Sequence, residues 1–358
     1  MQVSAPRRNT TAGGPKAAPS NVNANVVDLR TIDLMSYAAL DTWTSPKALG
    51  GQAAIALGTM NFGKRIDERE AVRIIARAEE QGIDFLDTAN VYADGESERI
   101  VGRAVAGRRD RFIIATKTGL NRVEGRPEGL ARNRVLSACD ASLTRLATDY
   151  IDVYYLHAPD PRTPIEDTLA ALDKLLSEGK IRAWGVSNYA SWQILEMFHL
   201  CDQMGLVRPV ISQVIYNLLI RQIDHEYTRF AGKYRLHTTV YNPLAGGLLS
   251  GKYPPGSQWT RGSRFDDNAI YQRRYWSEKL LTLVESYRKL VPEMDLVKFA
   301  YAWTSHRPGV DSILVGPASV EHLDRAIEGC RETLPPELGK GIDEIHFAFV
   351  GTDANYAR

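Results

Sequence analysis

The sequence predicts a single (β/α)8 TIM barrel, because eight short apolar segments alternate with amphipathic segments along most of the chain. Each apolar segment is rich in β-branched or aromatic residues, as expected for strands that are buried on both faces. The alternation spans residues 54–330 of 358, which suits a barrel of about 250 residues with an insertion. The predicted strands cover residues 55–60, 85–92, 112–117, 152–157, 183–188, 210–217, 238–244 and 312–316.

The segment between the first two predicted strands shows the helical pattern. In EREAVRIIARAEEQG, Val72, Ile75, Ala76 and Glu79 follow a 3.6-residue period, and Gly82 marks the end of the helix. An open doubly wound sheet is the main alternative architecture, and it requires a G-x-G-x-x-G motif between its first strand and helix. The sequence contains no such motif and therefore favours the barrel.

The N-terminal part of the chain differs in composition from the rest. Residues 1–27 are rich in Ala, Ser, Thr, Asn, Pro and Gly, and no acidic residue precedes Asp28. Both a transit peptide and a disordered tail have this composition, and the tail is the favoured interpretation. We predict a poorly structured extension over residues 1–50 and a barrel domain over residues 51–358.

Composition excludes several classes of function. The formal net charge of +1 does not indicate nucleic acid as a partner, and no apolar run of 18 residues predicts a membrane span. The three cysteines are far apart and form no CxxC pair, which is typical of a reducing compartment such as the cytoplasm. No metal site is expected.

Polar residues follow three neighbouring predicted strands. Asp87 and Tyr92 come after the second strand, Lys117 after the third and His157 after the fourth. Because a TIM barrel places its active site at the C-terminal ends of its strands, these side chains are expected to converge. Each of them alone is commonly a capping or packing residue, but together they favour an active site.

These four residue types suit protonation of a carbonyl oxygen. An ammonium beside a phenol favours the phenolate, so Lys117 is expected to lower the pKa of Tyr92 and make it a better proton donor. The carboxylate of Asp87 allows the lysine to stay charged, and His157 can orient the carbonyl group. Hydride is the natural nucleophile for the carbon atom.

An ordered set of motifs carries a resemblance to a known family. In chain order they are LGTMNFG, DTANVY, TKTG, YLHAPD, GVSNY, QVIYN, YNPLAGGLLSGKY and VGPASVEHL. Over residues 54–330 this set resembles the aldo-keto reductase superfamily, closer to its potassium-channel β-subunits and aflatoxin aldehyde reductases. The resemblance implies reduction of an aldehyde or ketone to an alcohol, with Asp87, Tyr92, Lys117 and His157 as the catalytic tetrad.

The resemblance also implies NADPH/NADP+ as the cofactor. Ser187, Asn188 and Gln213 would hold the nicotinamide carboxamide and Tyr241 would stack on its ring, while Lys252 and Arg264 would bind the 2′-phosphate. The other implied cofactor residues are Gly58, Thr59, Met60, Asp87, Asn242, Pro243, Leu244, Ala245, Gly246, Leu248, Gly316, Ser319, His322 and Arg325. The substrate, a small carbonyl compound, would contact Asn61, Phe62, Tyr92 and His157.

Three alternatives stay open at this point. The aromatic-rich insertion over residues 252–280 is either a wall of the cofactor and substrate site or the packing of a long loop. The chain is either an enzyme or a regulatory subunit resembling potassium-channel β-subunits. A TIM-barrel isomerase or lyase would need a phosphate site in the last two βα loops, where the dinucleotide is expected.

Overall fold

The computed structural model describes residues 52–266, 268–354 and 356. The predicted extension over residues 1–50 lies outside these residues. The strands are β1 (Ala54–Gly58), β2 (Phe85–Asp87), β3 (Ile113–Thr118), β4 (Arg122–Val123), β5 (Arg126–Pro127), β6 (Ile151–Leu156), β7 (Ile181–Ser187), β8 (Ile211–Ile215), β9 (His237–Tyr241) and β10 (Ser312–Val315). The α-helices are α1 (Glu68–Glu80), α2 (Glu96–Ala104), α3 (Arg132–Leu146), α4 (Ile165–Ser177), α5 (Ser191–Met204), α6 (Tyr227–Tyr234), α7 (Ala269–Tyr275), α8 (Glu278–Leu290), α9 (Leu296–Ser305), α10 (Val320–Arg331) and α11 (Pro336–Val350).

Eight parallel strands close into a barrel in the order β1-β10-β9-β8-β7-β6-β3-β2, which confirms the predicted fold. The remaining pair, β4 and β5, forms a separate antiparallel hairpin. The second barrel strand ends at Asp87, earlier than predicted. Its continuation turns instead, because Ala93 and Asp94 have positive φ angles of 48° and 53° within a 3-10 turn that begins at Tyr92.

Helix α1 has the predicted period but buries a different face. Its buried residues are Ala71, Ile74, Ile75 and Ala78, whereas Val72 is 37% exposed. The helix begins after Asp67, whose side chain accepts a hydrogen bond from the Glu70 amide at 2.9 Å. It ends before Gly82, where φ is +76° as in a glycine-terminated helix.

Two layers of apolar packing hold the strand ends in place. Small, branched and aromatic side chains fill the inside of the barrel, among them Ala56, Ile211 and Phe85. A larger layer lies between the strands and the surrounding helices. Close approach of β7 to β8 depends on Gly185, because an added Cβ would lie 2.5 Å from the Ile211 carbonyl oxygen. Among the described residues, no helix is both long and apolar enough to cross a membrane.

Candidate active site

A cavity of about 510 Å³ lies where the C-terminal ends of the strands meet. Most residues that the sequence analysis assigned to the cofactor or substrate line it. These are Gly58, Thr59, Met60, Asn61, Asp87, Tyr92, His157, Ser187, Asn188, Gln213, Tyr241, Asn242, Pro243, Leu244, Gly246, Lys252, Arg264, Gly316 and His322. The C-terminal ends of the strands, where the sequence predicts the active site, therefore form a cavity.

The four tetrad side chains lie together at one end of this cavity. Lys117 is fully buried, forms an ion pair with Asp87, and donates a hydrogen bond to the Thr88 carbonyl at 2.8 Å. Its ammonium group lies 5.2 Å from the centroid of the Tyr92 ring. The rings of Tyr92 and His157 meet edge to face with their centroids 6.0 Å apart.

The pKa of Tyr92 differs from the sequence-based expectation. Burial raises it well above the usual value for a phenol, and the negative charge of Asp87 raises it further. Lys117 does not reverse this effect, because its charge is paired with Asp87. Tyr92 is therefore a neutral phenol, which can still protonate an alkoxide-like oxygen because an alcohol is a weaker acid than a phenol.

His157 is also neutral. Burial lowers its pKa to about 3, and the charge of Lys117 acts in the same direction. A neutral imidazole can donate one hydrogen bond to a carbonyl oxygen without adding charge to the cavity. Burial likewise lowers the pKa of Lys117, an effect that Asp87 opposes.

The lowered pKa of His157 makes the free energy of unfolding depend on pH. The unfolded chain binds a proton at His157 below about pH 6.5, whereas the folded chain resists it down to about pH 3. We expect stability to be complete above pH 6.5 and to fall below it by up to about 1.4 kcal/mol per pH unit from this residue. Denaturant unfolding at pH 7 and pH 5 measures the difference.

His157→Gln should reduce that pH dependence, whereas His199→Gln, at an exposed position on α5, should leave it unchanged. Equal pH dependence in wild type and His157→Gln would contradict the lowered pKa.

The residues that are predicted to hold the nicotinamide form a hydrogen-bonded network. The Tyr241 hydroxyl donates to Asn188 Oδ1 at 2.6 Å, and Asn188 Nδ2 donates to the His157 carbonyl at 3.0 Å. Asn188 has a φ of +64°, which asparagine tolerates better than most residues. Gln213, predicted to hold the carboxamide, donates its amide to Asp87 Oδ2 at 2.8 Å.

Part of the cavity wall is cationic. Lys252 and Arg264 both line it, and Arg264 donates to Asn61 Oδ1 at 2.9 Å. Arg65 also lines the cavity, but the sequence analysis did not predict it. Its loop follows β1, so the expectation that the active site lies at the C-terminal ends of the strands could have identified it. Its side chain donates to the Ser263 carbonyl, and burial and the charge of Arg264 lower its pKa. This clustering of positive charge suits an anionic group.

Five predicted cofactor or substrate residues do not line the cavity. Phe62, Ala245 and Leu248 are fully buried in the hydrophobic core, where their apolar side chains pack. Ser319 caps α10, accepting a hydrogen bond from the His322 amide at 3.3 Å. Arg325 forms an ion pair with Asp295, so its charge is engaged at the start of α9.

The insertion over residues 252–280 both packs as a long loop and lines the cavity. Tyr253, Phe265 and Trp276 pack together, with ring centroids 4.8–5.9 Å apart. The same insertion contributes Tyr271 and Arg274, besides Lys252 and Arg264, to the cavity wall. In the part of the chain that the structure describes, no group of three or more His, Cys, Asp or Glu side chains could hold a metal ion.

Comparison with known proteins agrees with this architecture. The Aldo/keto reductase family matches residues 54–346. Aflatoxin B1 aldehyde reductase member 2 of Mus musculus is 34% identical over 339 residues, which is 87% of this chain and 90% of that protein. A probable voltage-gated potassium channel subunit beta of Arabidopsis thaliana is 32% identical, covering 72% of this chain and 80% of that protein.

The solved structure of a glycerol dehydrogenase from Gluconobacter oxydans superposes with a TM-score of 0.71 at 28% identity, covering 85% of this chain and 94% of that one. Aldo-keto reductases are oxidoreductases that generally use NAD(P)H. Together with the closed barrel and its polar cavity, the family match over residues 54–346 shows that this chain belongs to the aldo/keto reductase family.

Proposed function

We propose that the protein reduces an aldehyde or ketone to an alcohol with NADPH, using Tyr92 as the general acid. The observation that carries the proposal is the placement of a neutral, half-buried Tyr92 beside the Lys117–Asp87 ion pair and a neutral His157. These groups line or adjoin one cavity whose wall also carries Arg65, Lys252 and Arg264. When bound, the reduced nicotinamide supplies hydride to the carbonyl carbon.

The residues at the cavity fit this cofactor. Ser187, Asn188 and Tyr241 would hold and stack the nicotinamide ring, and Lys252 and Arg264 would bind the 2′-phosphate, with Arg65 adding charge. Gly246 and Gly247 have φ angles of 70° and 103°, so their backbone can approach phosphate oxygens closely. A fixed positive charge at the 2′-position supports NADPH over NADH.

The tetrad has a simple division of roles. As the carbonyl carbon gains hydride, the oxygen takes a proton from the Tyr92 hydroxyl, and an alcohol results. His157 donates a hydrogen bond that orients the carbonyl oxygen. Lys117 stabilises the negative charge left on the phenol oxygen, and Asp87, which accepts a hydrogen bond from Gln213, holds Lys117 in place.

Arg264→Ala should weaken NADPH binding by roughly ten- to a hundredfold and leave NADH binding nearly unchanged. The expected loss is that of one charge-assisted hydrogen bond, about 1.5–3 kcal/mol. Fluorescence titration with each cofactor measures both affinities. Arg261→Ala is the matched control, because Arg261 is exposed on the same loop and does not line the cavity. An equal loss of affinity for both cofactors would refute the assignment of the 2′-phosphate site.

A regulatory subunit is the second candidate, because one relative carries the name of a probable voltage-gated potassium channel subunit beta. It predicts tight NADPH binding with very slow turnover and copurification with a membrane protein. An absorbance assay of NADPH oxidation with a panel of aldehydes, ketones and keto sugars separates the two candidates. The name of the murine relative makes aldehydes the first class to test.

We also propose a cytoplasmic location and a catalytic domain that covers residues 51–358. Cys139, Cys201 and Cys330 are all free and buried, which suits a reducing compartment.

A further inference from the structure

The loop that follows β3, residues 119–129, forms a small flap at the edge of the cavity. Its hairpin consists of β4 and β5, and Leu120 at the base of the flap lines the cavity. Glu128 closes this base, because its amide donates to the Asn121 carbonyl at 2.8 Å. The Glu128 side chain then turns inward and is buried, with 6% of the residue exposed.

Every polar partner of the Glu128 carboxylate is a neutral donor. Asn90 Nδ2 lies 2.9 Å and 3.1 Å from its two oxygens, Thr118 Oγ1 donates at 3.1 Å, and the Gly119 amide donates at 2.5 Å. No basic side chain among the described residues pairs with it. Since a carboxylate is an acceptor only, it satisfies this ring of donors, whereas an amide would turn its own NH2 group toward one of them.

These partners are chain neighbours of the catalytic groups. Asn90 precedes Tyr92 by two residues, and the backbone amide of Asn90 donates a hydrogen bond to the Lys117 carbonyl at 3.2 Å. Thr118 and Gly119 directly follow Lys117. The carboxylate therefore joins the flap to the segments that carry the proton donor and its lysine.

The end of the flap has separate anchors. The Leu130 amide donates to Asp160 Oδ2 at 3.0 Å, and the Leu130 carbonyl accepts from Thr168 Oγ1 at 2.9 Å. Loss of the Glu128 contacts is thus expected to loosen the base of the flap while leaving the chain beyond it in place.

We infer that Glu128 is a positioning residue, which holds the substrate flap in register with Tyr92 and Lys117. It does not contact the reacting atoms. This inference rests on the proposed reductase function, and it assigns the flap to the substrate side of the site, since the cofactor residues lie on other loops.

Glu128→Gln tests the inference, with Glu124→Gln as the matched control because Glu124 is exposed on the same hairpin. We expect Glu128→Gln to lower kcat/KM for an aldehyde by roughly ten- to a hundredfold, the size expected of a misplacement of about 1 Å. The Kd for NADPH should stay within about twofold of wild type, since the cofactor residues are untouched. Trypsin should cleave after Arg122 faster, because this residue lies on the loosened hairpin and is followed by Val123. Glu124→Gln should match wild type in all three measurements.

A rescue variant separates positioning from general stability. In Asn90→Asp combined with Glu128→Gln, the donor and the acceptor exchange places, so slow trypsin cleavage and part of kcat/KM should return. A Glu128→Gln variant that equals Glu124→Gln in kcat/KM would overturn the inference. A parallel loss of NADPH affinity and kcat/KM would also overturn it, because that indicates a general structural role. Absence of turnover in wild type would instead reject the proposed function, and unchanged trypsin cleavage in Glu128→Gln would then reject the anchoring as well.

Discussion

Tyr92→Phe should lower the rate constant for carbonyl reduction by about two to four orders of magnitude, the usual contribution of a positioned general acid. The hydroxyl is needed only when charge develops on the carbonyl oxygen, so the loss should appear in the chemical step. Single-turnover reduction of a reactive aldehyde measures this rate.

Cofactor binding should stay nearly intact in Tyr92→Phe, because other residues would hold the nicotinamide. Tyr234→Phe is a control for loss of a phenol hydroxyl, since Tyr234 packs against Phe198 and does not line the cavity. Turnover of Tyr92→Phe at the wild-type rate would show that the tetrad assignment is wrong and would favour the regulatory candidate.

Lys117→Met should reduce both the reaction rate and the stability of the fold. It removes the cation that compensates charge on the Tyr92 oxygen, so we expect a rate loss of similar order, about a hundredfold or more. It also leaves the Asp87 carboxylate buried without its ion-pair partner, which costs about 3–5 kcal/mol of unfolding free energy. Denaturant unfolding and single-turnover kinetics measure the two effects separately.

Two variants test this explanation of Lys117. Lys174→Met removes a half-exposed lysine that pairs with Glu178 on the surface, and it should change neither quantity much. Asp87→Asn combined with Lys117→Met removes both buried charges, so it should recover stability but not the rate. If stability stays lost in the double variant, the unpaired carboxylate is not the cause.

The barrel and the meeting of the tetrad were predictable because both depend on local pattern. Buried parallel strands read as continuous apolar runs, and the C-terminal ends of such strands meet at one mouth. Asp87 is the last residue of β2, Lys117 is the last but one of β3, and His157 directly follows β6, so their positions along the chain were enough to bring them together.

Features that depend on burial or on distant contacts were not predictable. The pKa of Tyr92 follows from burial and from the nearby charge of Asp87, neither of which appears in the sequence. Arg325 pairs with Asp295, a residue thirty positions earlier, and does not line the cavity. Phe62 is next to the cavity in sequence, but its side chain turns into the core.

The most direct test is to add a reactive aldehyde to the wild-type protein with bound NADPH. We expect the nicotinamide absorbance to decay in a single turnover, with formation of one equivalent of alcohol, and we expect Tyr92→Phe to bind NADPH equally well but to slow this decay by about a hundredfold or more. Bound NADPH that stays reduced across the whole panel of aldehydes, ketones and keto sugars would rule out the reductase function.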